Sequence, residues 1–185
     1  RPAGGGAGGW PVTSVSVDGH LFVLGGARSG KSRYAQQRAE LTGLAPIYIA
    51  TAQSWDDEMR DRIAQHRAER GGAWTTIEAP LSLAEAIDAH AAPSRVLLVD
   101  CLTLWVTNLM LGDHDIAAAV RGLTDALACA QGQVIAVSNE VGLSIVPENA
   151  LARRFRDEAG RVNQQMAACM GEVQLVMAGL NLRMK

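Results

Sequence analysis

Residues 20–32 read HLFVLGGARSGKS, and the two halves of this stretch decide the fold. HLFVL is a short apolar run ended by glycines, the pattern of a strand buried on both faces. GGARSGKS carries the spacing G-x-x-x-x-G-K-S, with Gly25, Gly30, Lys31 and Ser32 in the fixed positions. Each residue type has a reason. Glycines let backbone N–H groups turn inward around phosphate oxygens, and the N-terminus of the following helix adds partial positive charge. The Lys31 ammonium suits the terminal phosphates of a nucleotide, and the Ser32 hydroxyl suits Mg2+. A strand before the loop and a helix after it separate this motif from a chance match in a Gly-rich turn. The whole loop, Gly25, Gly26, Ala27, Arg28, Ser29, Gly30, Lys31 and Ser32, is expected to line a nucleotide, with Lys31 catalytic.

Outward from the loop, strand-like and helix-like segments alternate. Residues 31–42 are helical in composition and stop at Gly43; 46–50 (PIYIA) read as a strand, and 55–70 as a charged helix ending at Gly71-Gly72. A strand at 74–78, a helix at 82–90 capped by Ser82 and a buried strand at 95–99 (RVLLV) follow. Helices are expected at 102–111, 115–130 and 150–170, strands at 133–137 and 173–178, and a hairpin partner at 181–184. Strands joined by helical crossovers give a mainly parallel sheet covered on both faces. The fold class is therefore α/β: a P-loop NTPase (RecA-like) three-layer sandwich with a C-terminal hairpin. Residues 20–185 form one catalytic domain, and the Gly-rich residues 1–19 read as a flexible N-terminal extension.

Composition narrows the partners. A formal charge of −2 gives no basic field for a nucleic acid, so anionic substrates must be held by local devices. No apolar run approaches the roughly 18 residues of a membrane helix. Cys101, Cys129 and Cys169 stand apart without a CxxC pair, which fits a reducing, cytoplasmic setting and packing roles for all three. A phosphate loop also calls for an acid at a strand end to hold the metal's water shell. Asp100, after RVLLV, is the candidate, jointly with Ser32; the same residue also has the chemistry to cap the helix that follows. These features give a nucleotide and a metal but not a reaction.

Four further segments narrow the reading: YIATAQ at 48–53, DDEMRDRIAQHRAER at 56–70, NEVGLSIVPENALARRFRDEAGRVNQ at 139–164, and the terminal strand pair. With GGARSGKSRYA at 25–35, they make the chain resemble the adenosylcobinamide kinase/adenosylcobinamide-phosphate guanylyltransferase family over nearly all of 21–185. The resemblance implies two reactions in cobalamin assembly. One phosphorylates adenosylcobinamide with ATP or GTP; the other transfers GMP from GTP to that phosphate through a guanylylated histidine. It implies that His66 is the nucleophile, and that Thr51, Ala52, Gln53, Arg67, Ala68, Glu69, Arg70, Glu78 and Asp100 serve the nucleotide. It also implies a homo-oligomer, a trimer. From the helix alone, His66 has two readings. It shares a face with Glu58, Arg62 and Arg70, yet it points close to Trp55 and Met59, as a half-buried packing histidine would. Asn139 and Glu140, just past the strand at 133–137, occupy a ligand-binding position. Arg153, Arg154 and Arg156 have the charge for a corrinoid phosphate or for a solvated face. Gly71-Gly72 departs from the Arg-Pro-like turn of the family and has the freedom of a hinge. The rival readings are a simple small-molecule kinase and a nucleotide-driven conformational switch.

Overall fold

A computed structural model describes residues 19–53 and 72–185. The elements are β1 (Leu21–Gly25), α1 (Lys31–Glu40), β2 (Ala45–Ala50), β3 (Thr75–Glu78), α2 (Leu83–His90) and β4 (Arg95–Asp100). They continue with α3 (Leu102–Leu111), α4 (Ile116–Cys129), β5 (Gln133–Asn139), α5 (Ala150–Cys169), β6 (Glu172–Met177) and β7 (Leu180–Arg183). The helix expected over 55–70 lies outside the described residues, as do residues 1–18.

One seven-stranded sheet runs in the order β3-β2-β4-β5-β1-β6-β7. All pairings are parallel except β6 with β7, which pair antiparallel around a two-residue turn. In that turn Ala178 and Gly179 have φ of 52° and 79°, the positive values that a tight primed turn requires. This is the C-terminal hairpin that the sequence predicts.

Period-two alternation sends the strand side chains to opposite faces. Phe22, Ile49, Leu97, Val99 and Val134 pack on one face under α2, α3, α4 and α5, through Leu83, Trp105, Leu123 and Met166. Leu21, Val23, Leu98, Ile135 and Val137 face the other way, against Ala35 and Ala39 of α1. The interior is therefore a three-layer sandwich whose sheet is buried from both sides, which is why its central strands read as unbroken apolar runs.

Several local expectations change. Ser82 stands at the N-cap of α2 but makes no side-chain cap bond, so α2 is held by burial of Leu83 and Ile87. Asp115 and Asn149 do cap their helices: Asp115 accepts from Ala118 N at 2.9 Å, and Asn149 from Leu151 N at 2.7 Å. Helix α1 ends at Glu40, and residues 41–43 form a turn in which Gly43 takes φ 68°. Only one cysteine packs inside: Cys101 is buried, whereas Cys129 and Cys169 are exposed. Both exposed thiols lie on amphipathic helices, where a small residue tolerates either face.

Candidate active site

The phosphate loop joins the buried end of β1 to the first residue of α1. Gly25 belongs there for steric reasons: a Cβ would stand 2.5 Å from Ser29 Oγ and press on the Val176 carbonyl oxygen. Gly30 has φ 96°, a left-handed conformation that turns the chain into α1 at little cost only for glycine. The β6–β7 hairpin braces the loop from the side, as Gly179 N donates to Ser29 O at 2.9 Å. Lys31 is buried, and its ammonium donates to Gly26 O at 3.2 Å, folded over the loop. Ser29 Oγ is buried in the loop without a hydrogen-bond partner, an orphan in a site built for polar ligands.

The register of the sheet sets what lies beside this loop. Gly25 pairs with Asn139, and Glu140 N donates to Gly25 O at 3.1 Å. Two residues deeper, Val137 pairs with Asp100, Asp100 with Ala50, and Ala50 with Glu78. Strand β5 thus lies between the phosphate loop and the strand carrying Asp100. Asp100 stands at the end of its strand, as the sequence predicts, but strand order is not written in spacing. At ~4.8 Å per strand, Asp100 is about 10 Å from β1 and Glu78 about 19 Å, all on the C-terminal edge. A nucleotide with phosphates in the loop has this edge to lie along, and open parallel sheets bind ligands there.

Buried polar contacts fix the strand ends. Thr51 is fully buried; its hydroxyl donates to Cys101 O at 2.7 Å and accepts from Cys101 N at 2.9 Å. Asn108 Nδ2 donates to Thr51 O at 2.8 Å and to Pro80 O at 3.0 Å, tying the ends of β2 and β3 to α3. Thr103 Oγ1 accepts from Asn139 N at 2.7 Å and lies 3.3 Å from Ser138 Oγ. Asn163 Nδ2 donates to Asn139 O at 3.2 Å. Thr51 is therefore locked at the end of β2, with the half-buried Ala52 and Gln53 nearer the surface. Thr103, Asn108 and Asn163 escaped the sequence reading. Their one signal was a polar residue recurring inside apolar helix faces, as in LTLWVTNLML.

Of the expected site residues, the fold brings Gly25–Ser32, Asp100 and Asn139 to one place, with Ala52, Gln53 and exposed Glu78 further along the edge. His66, Arg67, Ala68, Glu69 and Arg70 lie outside the described residues. Arg153 Nη1 donates to Pro147 O and Glu148 O at 2.9 and 2.5 Å, so it closes the turn before α5. Arg156 pairs with Asp157 at 3.1 Å. The N-cap of α3 is Cys101, one residue past Asp100. Burial holds the Cys101 thiol neutral, with its pKa pushed up to about 11.

Ser32 and Asp100 offer a hydroxyl and a carboxylate, the oxygen donors a hard cation prefers. Among the described residues no cluster of three or more His, Cys, Asp or Glu forms a metal cage. A phosphate-loop cation needs none, because nucleotide and water oxygens complete its shell. The donor set fits Mg2+.

A family model described as cobinamide kinase / cobinamide phosphate guanyltransferase matches residues 21–184. The chain belongs to that family. Curated relatives agree in name and length. The bifunctional adenosylcobalamin biosynthesis protein CobP of Pseudomonas aeruginosa is 48% identical over 89% of this chain and 96% of its own. The protein of the same description, CobU, from Escherichia coli is 44% identical over 89% of this chain and 99% of its own. Membership makes this chain an enzyme of cobalamin biosynthesis in a kinase and guanyltransferase family. Solved structures share the fold. The flagellar accessory protein FlaH of Methanocaldococcus jannaschii superposes with a TM-score of 0.52 at 12% identity, covering 90% of this chain and 78% of that one. The P4 protein of bacteriophage phi6 gives 0.51 at 16%, covering 94% and 56%. Among the described residues no helix is long and apolar enough to cross a membrane.

Proposed function

We propose that this family member runs both phosphate chemistries along the one sheet edge described above. First it phosphorylates the aminopropanol hydroxyl of adenosylcobinamide with ATP or GTP. Then it transfers GMP from GTP to that phosphate, giving adenosylcobinamide-GDP and pyrophosphate. The carrying observation is the phosphate loop at Gly25–Ser32 sharing a register-locked edge with Asp100 and Asn139.

In the kinase step the corrinoid hydroxyl attacks the γ-phosphorus and the nucleoside diphosphate leaves. Catalysis is mostly positioning and charge stabilisation. Backbone N–H groups of the loop hold the phosphates, and the Lys31 ammonium exchanges its Gly26 carbonyl acceptor for a phosphate oxygen. Ser32 and Asp100 would hold Mg2+, Asp100 partly through water. When bound, the ion neutralises phosphate charge.

In the guanylyl step His66 attacks the α-phosphorus of GTP. A P–N bond forms as the bond to pyrophosphate breaks. A phosphate oxygen of the corrinoid then displaces the histidine and takes the GMP group. This role for His66, and those of Arg67 to Arg70 around the phosphates, rest on the family resemblance. By the same resemblance Thr51, Ala52, Gln53 and Glu78 serve the nucleotide, and their place on the sheet edge beyond the loop supports that reading. We place the protein in the cytoplasm on its sparse, unpaired cysteines, and as a homotrimer on the family resemblance.

Nucleotides labelled at one phosphorus separate this reading from a simple kinase. With cobinamide as acceptor, γ-labelled GTP should yield labelled cobinamide phosphate. With α-labelled GTP, label should appear in the corrinoid product of the parent but not of His66→Ala. Transfer of γ-label alone would reduce the protein to a kinase, and transfer of neither would remove the corrinoid from the account.

A further inference from the structure

The loop that leaves β5 starts at the phosphate loop, where Glu140 N is bonded to Gly25 O. Within six residues it presents Leu143, Ile145 and Val146 to solvent, at 82%, 94% and 61% exposure. Three aliphatic side chains so bare on one segment differ from the scattered exposed leucines of an ordinary surface. Chain reach limits Leu143 to about 11 Å and Ile145 to about 18 Å from Glu140. The same segment ends at Asn149, the cap of α5, beside a groove of about 320 Å³ lined by Met110, Leu111, Leu151 and Phe155. Leu111 and Leu151 are themselves more than half exposed. One segment, from Glu140 to Asn149, therefore links the phosphate loop to the α3–α5 groove and carries three bare aliphatic side chains between them.

We infer that this surface is the corrinoid subsite. Leu143, Ile145 and Val146 cover the apolar face of the macrocycle, and the α3–α5 groove takes a methyl-bearing edge. The inference rests on the proposed reaction. That reaction requires a large ring with apolar faces and peripheral amides to bring one hydroxyl to the γ-phosphate while the ring stays outside the loop. An apolar shelf beginning at Glu140 meets that demand. The phosphates themselves need only the polar cradle, so the aliphatic residues answer to the acceptor and not to the nucleotide. Thr107 Oγ1 is bonded to Thr103 O and Asn149 Oδ1 to Leu151 N, so the groove itself offers an apolar wall and leaves the peripheral amides to solvent.

The test compares the parent with the double variant Leu143→Ser/Ile145→Ser, and with Leu41→Ser, an exposed leucine at the end of α1, as control. Both changes lie on solvent-exposed side chains, so the fold should hold. The double variant should raise KM for cobinamide at least about tenfold, with KM for GTP unmoved. Equilibrium dialysis of cobinamide, followed by its visible absorbance, should show the same loss of affinity. Leu41→Ser should match the parent. An unaltered KM and affinity in the double variant, with the parent turning over cobinamide, would defeat the subsite and leave the reaction standing. A change of oligomeric state by light scattering without a change in corrinoid affinity would assign the surface to a second copy of the chain, which also defeats it. A parent that neither binds nor phosphorylates cobinamide would overturn the reaction and the subsite together.

Discussion

A Cβ on Gly25 would press on the Val176 carbonyl and Ser29 Oγ, whereas one on Gly26 meets no atom within 4 Å. Adjacent glycines of one motif thus answer to different demands, the first to packing of the loop against β6 and the second to whatever enters the loop. Gly25→Ala forces backbone to move, an overpacking that costs about 1–3 kcal/mol. At roughly 2–4 °C per kcal/mol for a domain of this size, it should lower the melting temperature by several degrees. It should also weaken binding of a fluorescent GTP analogue. Gly26→Ala should leave the melting temperature where it is and weaken nucleotide binding alone. Equal melting temperatures for Gly25→Ala and the parent would contradict the packing account. The two glycines look alike in the sequence, which fixes the motif but not the neighbour each glycine meets.

Among the elements, α1 is fastened to β6 by a charged pair far apart in the chain. Arg38 Nη1 and Nη2 donate to Glu172 Oε1 and Oε2, both at 2.8 Å, and Arg38 also donates to Tyr34 Oη. The guanidinium is buried and the carboxylate is one-quarter exposed. The bond from Arg38 holds the Glu172 carboxyl below its ordinary value of 4.5. A depressed carboxylate stabilises the fold fully above the unfolded-state value and loses that contribution as pH falls through the folded one. Urea unfolding of the parent and Glu172→Gln should therefore differ by a constant amount, about 2 kcal/mol, above pH 5. The difference should shrink once pH drops below about 4.5. A gap that stays constant down to pH 3 would contradict the assignment. Element types and their order were legible because period-two runs, helical composition and glycine stops are local. The tie between Arg38 and Glu172 joins residues 134 apart in sequence, and no local pattern encodes it. Thr51 shows the same limit: the two bonds between its hydroxyl and Cys101 join residues 50 apart, and no local pattern encodes them either.

For the molecule as a whole, one sheet edge collects the loop, Asp100, Asn139 and Glu78, and the strand order that does so puts β5 between the loop and Asp100. The α/β class, the parallel sheet and the terminal hairpin followed from the alternation of segments. The family followed from motifs beyond the phosphate loop, the segments at 56–70 and 139–164 together. The candidate site was legible wherever chemistry forces residue type, as at Lys31, Ser32 and Asp100. It was not legible where an ordinary Thr or Asn works by burial, as at Thr103 and Asn163. The central claim is that the protein adds nucleotidyl transfer, through His66, to the phosphoryl transfer of a kinase. The most direct measurement is the intact mass of the denatured chain after incubation with GTP and Mg2+, with His66→Ala alongside. The account predicts a gain of one GMP in the parent, cleaved by mild acid and absent from the variant. An unmodified parent that demonstrably binds GTP would contradict it and leave a kinase.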